Sequence, residues 1–366
     1  MEIKELGEFG LIDHLTKDIS CKNNTSSLGI GDDAAVISNL AKETLVTTHL
    51  FMEGIEFDLT YSSMDSLGYK CAMVTMSNIF AMNGVPKQML ISIGIGKRFK
   101  VTDLDLLYSG FKSACSKWGV DIIGGDTTSS FTGLTINVTC LGEANKQDIV
   151  YRSGAKPSDI ICVTGNLGGA YMGLQLLERE KTVYYQQVEE FNKKVAAAKK
   201  ENKNINTDYF AAERQALSSF QPDFAGKEYL IERQLKPEAR GEILKELHDL
   251  DIRITSMIDV SDGIASDLKH ICNKSKCGCR VYEDKLPIDY QTAVTCEEFN
   301  LNLTTAALNG GEDYELLFTV PISDHIKIKD LNDVRQIGYI TEANLGEYLV
   351  CRDGNELKLK AQGWIE

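Results

Sequence analysis

Runs rich in β-branched and apolar residues recur through the first half of the chain, at residues 44–51, 88–94 and 134–141, and predict strands. Between the first two, the apolar spacing changes to three and four. Leu67, Cys71, Val74, Asn78 and Met82 share one face of a helix that Ser62 or Ser63 can cap. Asn78 is the polar member of that face and reads equally as a satisfied core amide or as a site residue. A second helix over residues 102–117, capped by Thr102, leads to a short strand at 120–123 that delivers Gly124-Gly125-Asp126. A short amphipathic helix is expected at 7–17.

A polar shift at residues 142–147 marks a domain boundary, after which an apolar strand at 160–163 runs into the glycine turn at 165–169 and a helix through 177. Such a turn is plain strand-to-helix geometry or a phosphate cradle. Residues 178–225 read as a charged, solvated helical insertion, with almost no large apolar side chains over 193–203. Helices at 241–250 and 266–272 and strands at 256–260, 280–282, 315–320, 336–340 and 348–351 complete the pattern. The expected architecture is α/β or α+β in two domains, residues 1–147 and 148–366.

The 366-residue chain is 43% hydrophobic and 25% charged, an ordinary globular balance with enough length for two cores. Its net charge of −14, without long basic runs, argues against nucleic acid as the main partner. An acidic protein that handles phosphates must do so through cations. The absence of a membrane-length apolar run and of a signal-like start predicts a cytoplasmic protein. Ten cysteines scattered among apolar neighbours suit reduced, buried thiols, and the cluster Cys272, Cys277 and Cys279 lacks a fourth zinc ligand at standard spacing.

Four stretches set carboxylates beside glycine next to an apolar run: residues 29–36 with Asp32 and Asp33, 124–128 with Asp126, 257–263 with Asp259 and Asp262, and 310–315 with Glu312. Their convergence would build an acidic site for divalent cations that serve substrate phosphates. The glycines at 29 and 31 do not follow the apolar strand that a dinucleotide fingerprint requires, since polar residues precede them, and neither a Walker loop nor a protein-kinase catalytic loop is present.

These stretches, together with residues 53–57 and the run Tyr151-Arg152-Ser153-Gly154-Ala155, occur in the order and spacing of thiamine-monophosphate kinases, which the chain resembles over nearly its whole length outside the insertion. The resemblance implies the two-domain fold of aminoimidazole-ribonucleotide synthetase, with an N-terminal domain that dimerises through its strands. It implies ATP-dependent phosphorylation of thiamine monophosphate to thiamine diphosphate. It places magnesium, or manganese, on Asp33, Thr47, Thr48, Asp126, Asp259 and Asp262. ATP falls to Tyr108, Gly125, Asp126, Arg152 and Ser261, and the thiamine substrate to Glu56, Glu312 and Trp364. The phosphate nucleophile needs no protein base, since its second pKa is about 6, and Arg152 suits a clamp on phosphate.

Three positions depart from that pattern. His49 stands where a metal-binding Asp is expected, Glu56 where a substrate-facing His is expected, and Asn78 where a shared metal-binding Asp is expected. Magnesium prefers charged oxygen ligands, so these exchanges predict a weakened or re-tuned ion site. They also raise an alternative, a catalytically impaired paralogue that binds nucleotide or thiamine phosphate.

Overall fold

The computed structural model describes residues 14–28, 36–37, 42–200, 217, 220–329 and 331–360. The expected helix at 7–17, the acidic turn with Asp33 and the C-terminal Trp364 fall largely or wholly outside them.

After the two-stranded pair β1 (Ser26–Leu28) and β2 (Val36–Ile37), the chain builds β3 (Glu43–Met52), helix α1 (Met64–Phe80), β4 (Val85–Ile95), helix α2 (Val101–Trp118), β5 (Asp121–Ser129) and β6 (Thr135–Ala144). Four of these strands form one sheet in the order β3-β6-β4-β5, antiparallel except for β4 beside β5. Buried Asp121 accepts the Lys22 and Asn23 N–H groups at 2.7 and 2.9 Å, which fixes the segment leading into β1 against the start of β5.

The second half contributes β7 (Ile160–Thr164), α3 (Gly169–Lys200), α4 (Glu228–Leu235), α5 (Gly241–Asp249), β8 (Ser256–Asp259), α6 (Ile264–Ser275) and β9 (Cys277–Tyr282). It continues with α7 (Tyr290–Glu298), α8 (Leu303–Asn309), β10 (Leu316–Val320), α9 (His325–Lys329), β11 (Val334–Glu342), β12 (Glu347–Val350) and β13 (Glu356–Lys358). Seven strands form the second sheet, ordered β13-β12-β9-β11-β7-β10-β8. Alternation along β7 sends Ile160 and Cys162 into one core and Ile161 and Val163 into another, as expected for a strand covered on both faces. The first of these cores is continuous with α1, α2 and the four-stranded sheet, so the two sheets share apolar packing through α1. Cys272, Cys277 and Cys279 lie buried in the second core.

Three local expectations are corrected. Thr102 does not cap α2; the cap position is Lys100, two residues earlier, whose N–H the Asp103 carboxylate accepts at 2.8 Å. The insertion does not begin as a separate helix: α3 runs unbroken for 32 residues, because nothing between 177 and 200 interrupts its helical propensity. The strand expected at 120–123 does not end before Gly124-Gly125-Asp126 but carries them in the middle of β5, where Gly125 packs against the Ile91 carbonyl so closely that no side chain fits.

Candidate active site

α1 is the spine of the site. Ser63 Oγ accepts the Ser66 N–H at 3.1 Å to start the helix, and Gly68 and Gly110 let α1 and α2 cross with their backbones in contact. Held between the two sheets, α1 buries nearly every side chain, Lys70 and Ser77 included. Seven residues apart, these two project toward loops of the second half. Ser77 Oγ donates to Asp259 Oδ2 at 2.8 Å, and Lys70 Nζ donates to Glu312 Oε2 at 2.7 Å.

Asp259 ends β8 and is followed by Ser261 and Asp262, while Glu312 belongs to the loop before β10. Backbone bonds lace the two segments together: Glu312 N–H to Ser261 O at 2.8 Å, Tyr314 N–H to Val260 O at 2.9 Å and Val260 N–H to Glu315 O at 2.7 Å. Glu312 and Tyr314 adopt φ values of 56° and 50°, a conformation that side-chain-bearing residues hold only when their surroundings over-determine it.

Those surroundings are ionic. Glu315 is fully buried and takes Arg240 Nε at 2.6 Å, Arg240 Nη2 at 2.7 Å, Arg233 Nη2 at 2.9 Å and Thr164 Oγ1 at 2.6 Å. Asp313 accepts the Gly168 and Ala170 N–H groups at 2.7 and 3.3 Å and so occupies the N-terminus of α3. The glycine turn at 165–169 is therefore capped from within the protein rather than left open to phosphate.

Electrostatics separates the acids. Burial opposes ionisation of Glu312, but Lys70 and Gln234 outweigh it and hold its carboxyl below the ordinary value. Burial pushes Asp259 up, and burial with the charges of Asp262 and Asp259 raises Asp267 to about 8. The two departing residues sit around the same centre. Burial and Lys70 lower the His49 imidazole against the pull of Glu312, while burial, Glu312 and Asp262 raise Glu56 against Lys70. Half-buried Asn78 follows Ser77 in the last turn of α1.

Arg152 is exposed, its carbonyl held by Ser275 Oγ at 3.3 Å, and its charge favours ionised Asp259. Asp259, Ser261, Asp262, Glu312, His49, Glu56 and Arg152 are thus brought into one neighbourhood. Other expected residues have their described contacts elsewhere. Asp126 pairs across strands with Ser92, and Ser92 with Asn137. These three line an open cavity of about 470 Å³ on the four-stranded sheet. Among the described residues no hydrogen bond or ion pair joins Asp126 to the Asp259–Glu312 group. Thr47 and Thr48, adjacent in β3, project to opposite faces. The Thr48 hydroxyl bonds Asn137 and Thr139 on the Asp126 side of the sheet. Tyr108 is buried on α2 and lines a separate cavity of about 260 Å³ with His14 and Lys112.

Lys70, Ser77, Gln234, Arg233 and Arg240 were not anticipated. A lysine between Leu67 and Val74 on the apolar stripe of α1 was the one available signal.

Among the described residues no three acidic, histidine or cysteine side chains converge on one point as an all-protein metal cage. The donors that do come close, Asp259 and exposed Asp262, are hard carboxylate oxygens without an ion-pair partner among the described residues. That pairing fits magnesium, which is usually held by one or two carboxylates plus substrate phosphates.

Two family models cover the chain, the N-terminal domain of AIR synthase related proteins over residues 31–144 and their C-terminal domain over 207–352. The thiamine-monophosphate kinase of Aquifex aeolicus is 31% identical over 364 residues, spanning 100% of this chain and 99% of that protein. The chain belongs to the thiamine-monophosphate kinase family. The family member of Bacillus subtilis is 30% identical over 365 residues, covering 98% of this chain and 99% of its own. Among solved structures, AaThiL complexed with AMPPCP and TMP aligns over 100% of this chain and 98% of that one, with 30% identity and a TM-score of 0.69. The Stenotrophomonas maltophilia thiamine-monophosphate kinase aligns over 96% and 98%, with 25% identity and a TM-score of 0.72.

Proposed function

We propose that this chain transfers the γ-phosphoryl group of ATP to the phosphate of thiamine monophosphate, yielding thiamine diphosphate and ADP. The observation that carries the reading is the gathering of Asp259, Asp262 and Glu312 against α1, within a chain that matches the family end to end.

In this reading a phosphate oxygen of thiamine monophosphate attacks the γ-phosphorus in line. The new O–P bond forms as the bond to the β-phosphate oxygen breaks and ADP leaves. Arg152 aligns the phosphates, and Glu312 faces the thiamine substrate. Asp259 and Asp262 would hold magnesium, with Asp33, Asp126 and Thr47 or Thr48 as further ligands; the ion supplies charge neutralisation between the phosphates. Tyr108, Gly125 and Ser261 would serve ATP, and Trp364 the thiamine moiety. His49 and Glu56 change the charge pattern around Lys70 and Glu312 but leave the second-half carboxylates in place.

The same reading includes a second copy of the chain. Val46, Leu50, Met52 and Val85 are exposed on the four-stranded sheet, a patch suited to burial between two protomers. Among the described residues every cysteine is a free thiol and no helix is long and apolar enough to cross a membrane, which suits a cytoplasmic enzyme.

The test is thiamine diphosphate formation from ATP and thiamine monophosphate, separated by chromatography, in parallel with magnesium and with manganese. Turnover with magnesium is expected. No product with either ion, from folded protein that still binds an ATP analogue, overturns the reading.

A further inference from the structure

The Glu312 carboxylate is held on one oxygen only. Oε2 receives Lys70 Nζ at 2.7 Å and Gln234 Nε2 at 2.9 Å, whereas Oε1 has no hydrogen bond among the described residues, and the side chain is 30% exposed. The two donors come from opposite sides, Lys70 from α1 in the first half and Gln234 from α4 in the second. Both are themselves almost fully buried.

Each donor is retained against a structural cost. A lysine is almost never buried without a partner, and Glu312 is the one ion-pair partner of Lys70 among the described residues. The Gln234 amide leaves its Oε1 buried without a partner, although an orphan acceptor is costly. Turning the amide over would place that oxygen against the Glu312 carboxylate, so the acid sets its orientation. The backbone at Glu312 adds a third constraint through its left-handed φ of 56°.

We propose that Lys70, with Gln234, is the positioning residue that pins Glu312 Oε2 and thereby presents Oε1 to the cationic thiazolium ring of thiamine monophosphate. The assignment rests on the reading of the chain as a thiamine-monophosphate kinase. A fixed anion meeting a permanent ring cation selects for ring charge, whereas the phosphates are bound elsewhere in the site.

The test compares binding of thiamine monophosphate, of its neutral-ring thiophene analogue and of a non-hydrolysable ATP analogue by calorimetry. Wild type should prefer the cationic ring by about tenfold or more, the scale of one charge-assisted contact. Lys70→Met should reduce that preference to about threefold or less while ATP-analogue affinity stays within about twofold. Lys70→Met combined with Glu312→Gln should discriminate no worse than Glu312→Gln alone, because the two residues act as one unit. Gln234→Leu keeps the charge balance and should lose part of the preference in the same direction, which covers the case in which Lys70→Met does not fold. Equal loss of affinity for both ring forms, or a matching loss for the ATP analogue, overturns the positioning role. If wild type binds no thiamine monophosphate, the functional reading itself fails and this assignment with it.

Discussion

The loop at residues 310–315 and the stretch at 124–126 carry the same kind of sequence, glycines beside a carboxylate, yet the protein treats them in opposite ways. In the first, Glu312, Asp313 and Glu315 are fixed by two arginines, a lysine, a glutamine and backbone N–H groups. In the second, exposed Asp126 has, among the described residues, only the N–H of its own neighbour Thr127, at 2.9 Å. The contrast separates acids that the fold has already committed from acids left for a ligand to organise. An anion with protein donors on both oxygens, such as Asp313 or Glu315, is part of the scaffold, whereas one that keeps an oxygen without a donor among the described residues, as Asp126 and Glu312 do, can still take a cation.

The sharpest way to break this comparison is to remove a scaffold cation. Arg233 is buried beside Glu315 and also donates to the Asp313 carbonyl at 2.8 Å. Arg233→Met should destabilise the chain by about 3–5 kcal/mol in urea unfolding, because it leaves a buried carboxylate short of charge. A loss below about 1 kcal/mol would mean that Arg240 alone holds the loop.

Asp259→Asn and Asp126→Asn, compared under identical conditions, sharpen the comparison on the activity side. Asp259→Asn should slow phosphoryl transfer by at least about a hundredfold, about 2.7 kcal/mol of transition-state stabilisation. Asp126→Asn should also slow it while leaving the unfolding free energy within about 0.5 kcal/mol, as for an exposed side chain bonded to its neighbour's N–H, which an amide oxygen also accepts. Equal stability losses in the two variants would remove the contrast between buried Asp259, bonded by Ser77, and exposed Asp126.

The period-two and helical patterns made the long strands of both sheets and helices α1, α2, α3, α5 and α6 legible, since those patterns report which face is buried, whereas the short helices α4, α7, α8 and α9 and the short strands β1, β2 and β13 were not read. Less legible was what glycine was for. At 124–126 it permits close strand packing against Ile91, which local sequence cannot distinguish from a turn. The carboxylates of the site were legible as candidates because acids beside glycine are chemically conspicuous. Their partners were not: Lys70 and Glu312 are 242 residues apart and Gln234 is 78 from Glu312, so only the assembled fold pairs them. Thr47 and Thr48 show the converse, since adjacency in sequence is what separates two side chains in a strand.

The scaffold acids also predict a pH dependence. Burial would raise the Glu315 carboxyl, but Arg233 and Arg240 hold it below its ordinary value. A depressed folded pKa gives stability that is present above the unfolded pKa of about 4.3 and is lost as pH falls through the folded value. The stability gap between wild type and Arg240→Met should therefore be constant from about pH 6 to 8 and should close progressively below about pH 4.3. A gap independent of pH down to about 3 would show that Arg240 contributes packing rather than charge.

The smallest expected effect concerns the long helix α3, where a partly exposed network meets the loop that carries Glu56. Lys181 Nζ reaches Asp58 Oδ2 at 2.7 Å, and Tyr61 donates to Glu178 Oε1 at 2.9 Å. Lys181 is 25% and Asp58 23% exposed, between the buried pairs of the scaffold and a free surface pair. Lys181→Ala should cost less than about 1 kcal/mol of global stability, because solvent screens the pair. Its effect should instead appear locally, as faster amide hydrogen exchange over residues 53–62 without a change at 310–315. Exchange that rises equally in both segments would join α3 to the committed scaffold. Exchange unchanged in both would mean that residues 53–62 are held without Lys181, by contacts such as Arg98 on Glu53 and the Glu53 N–H to Leu134 carbonyl bond.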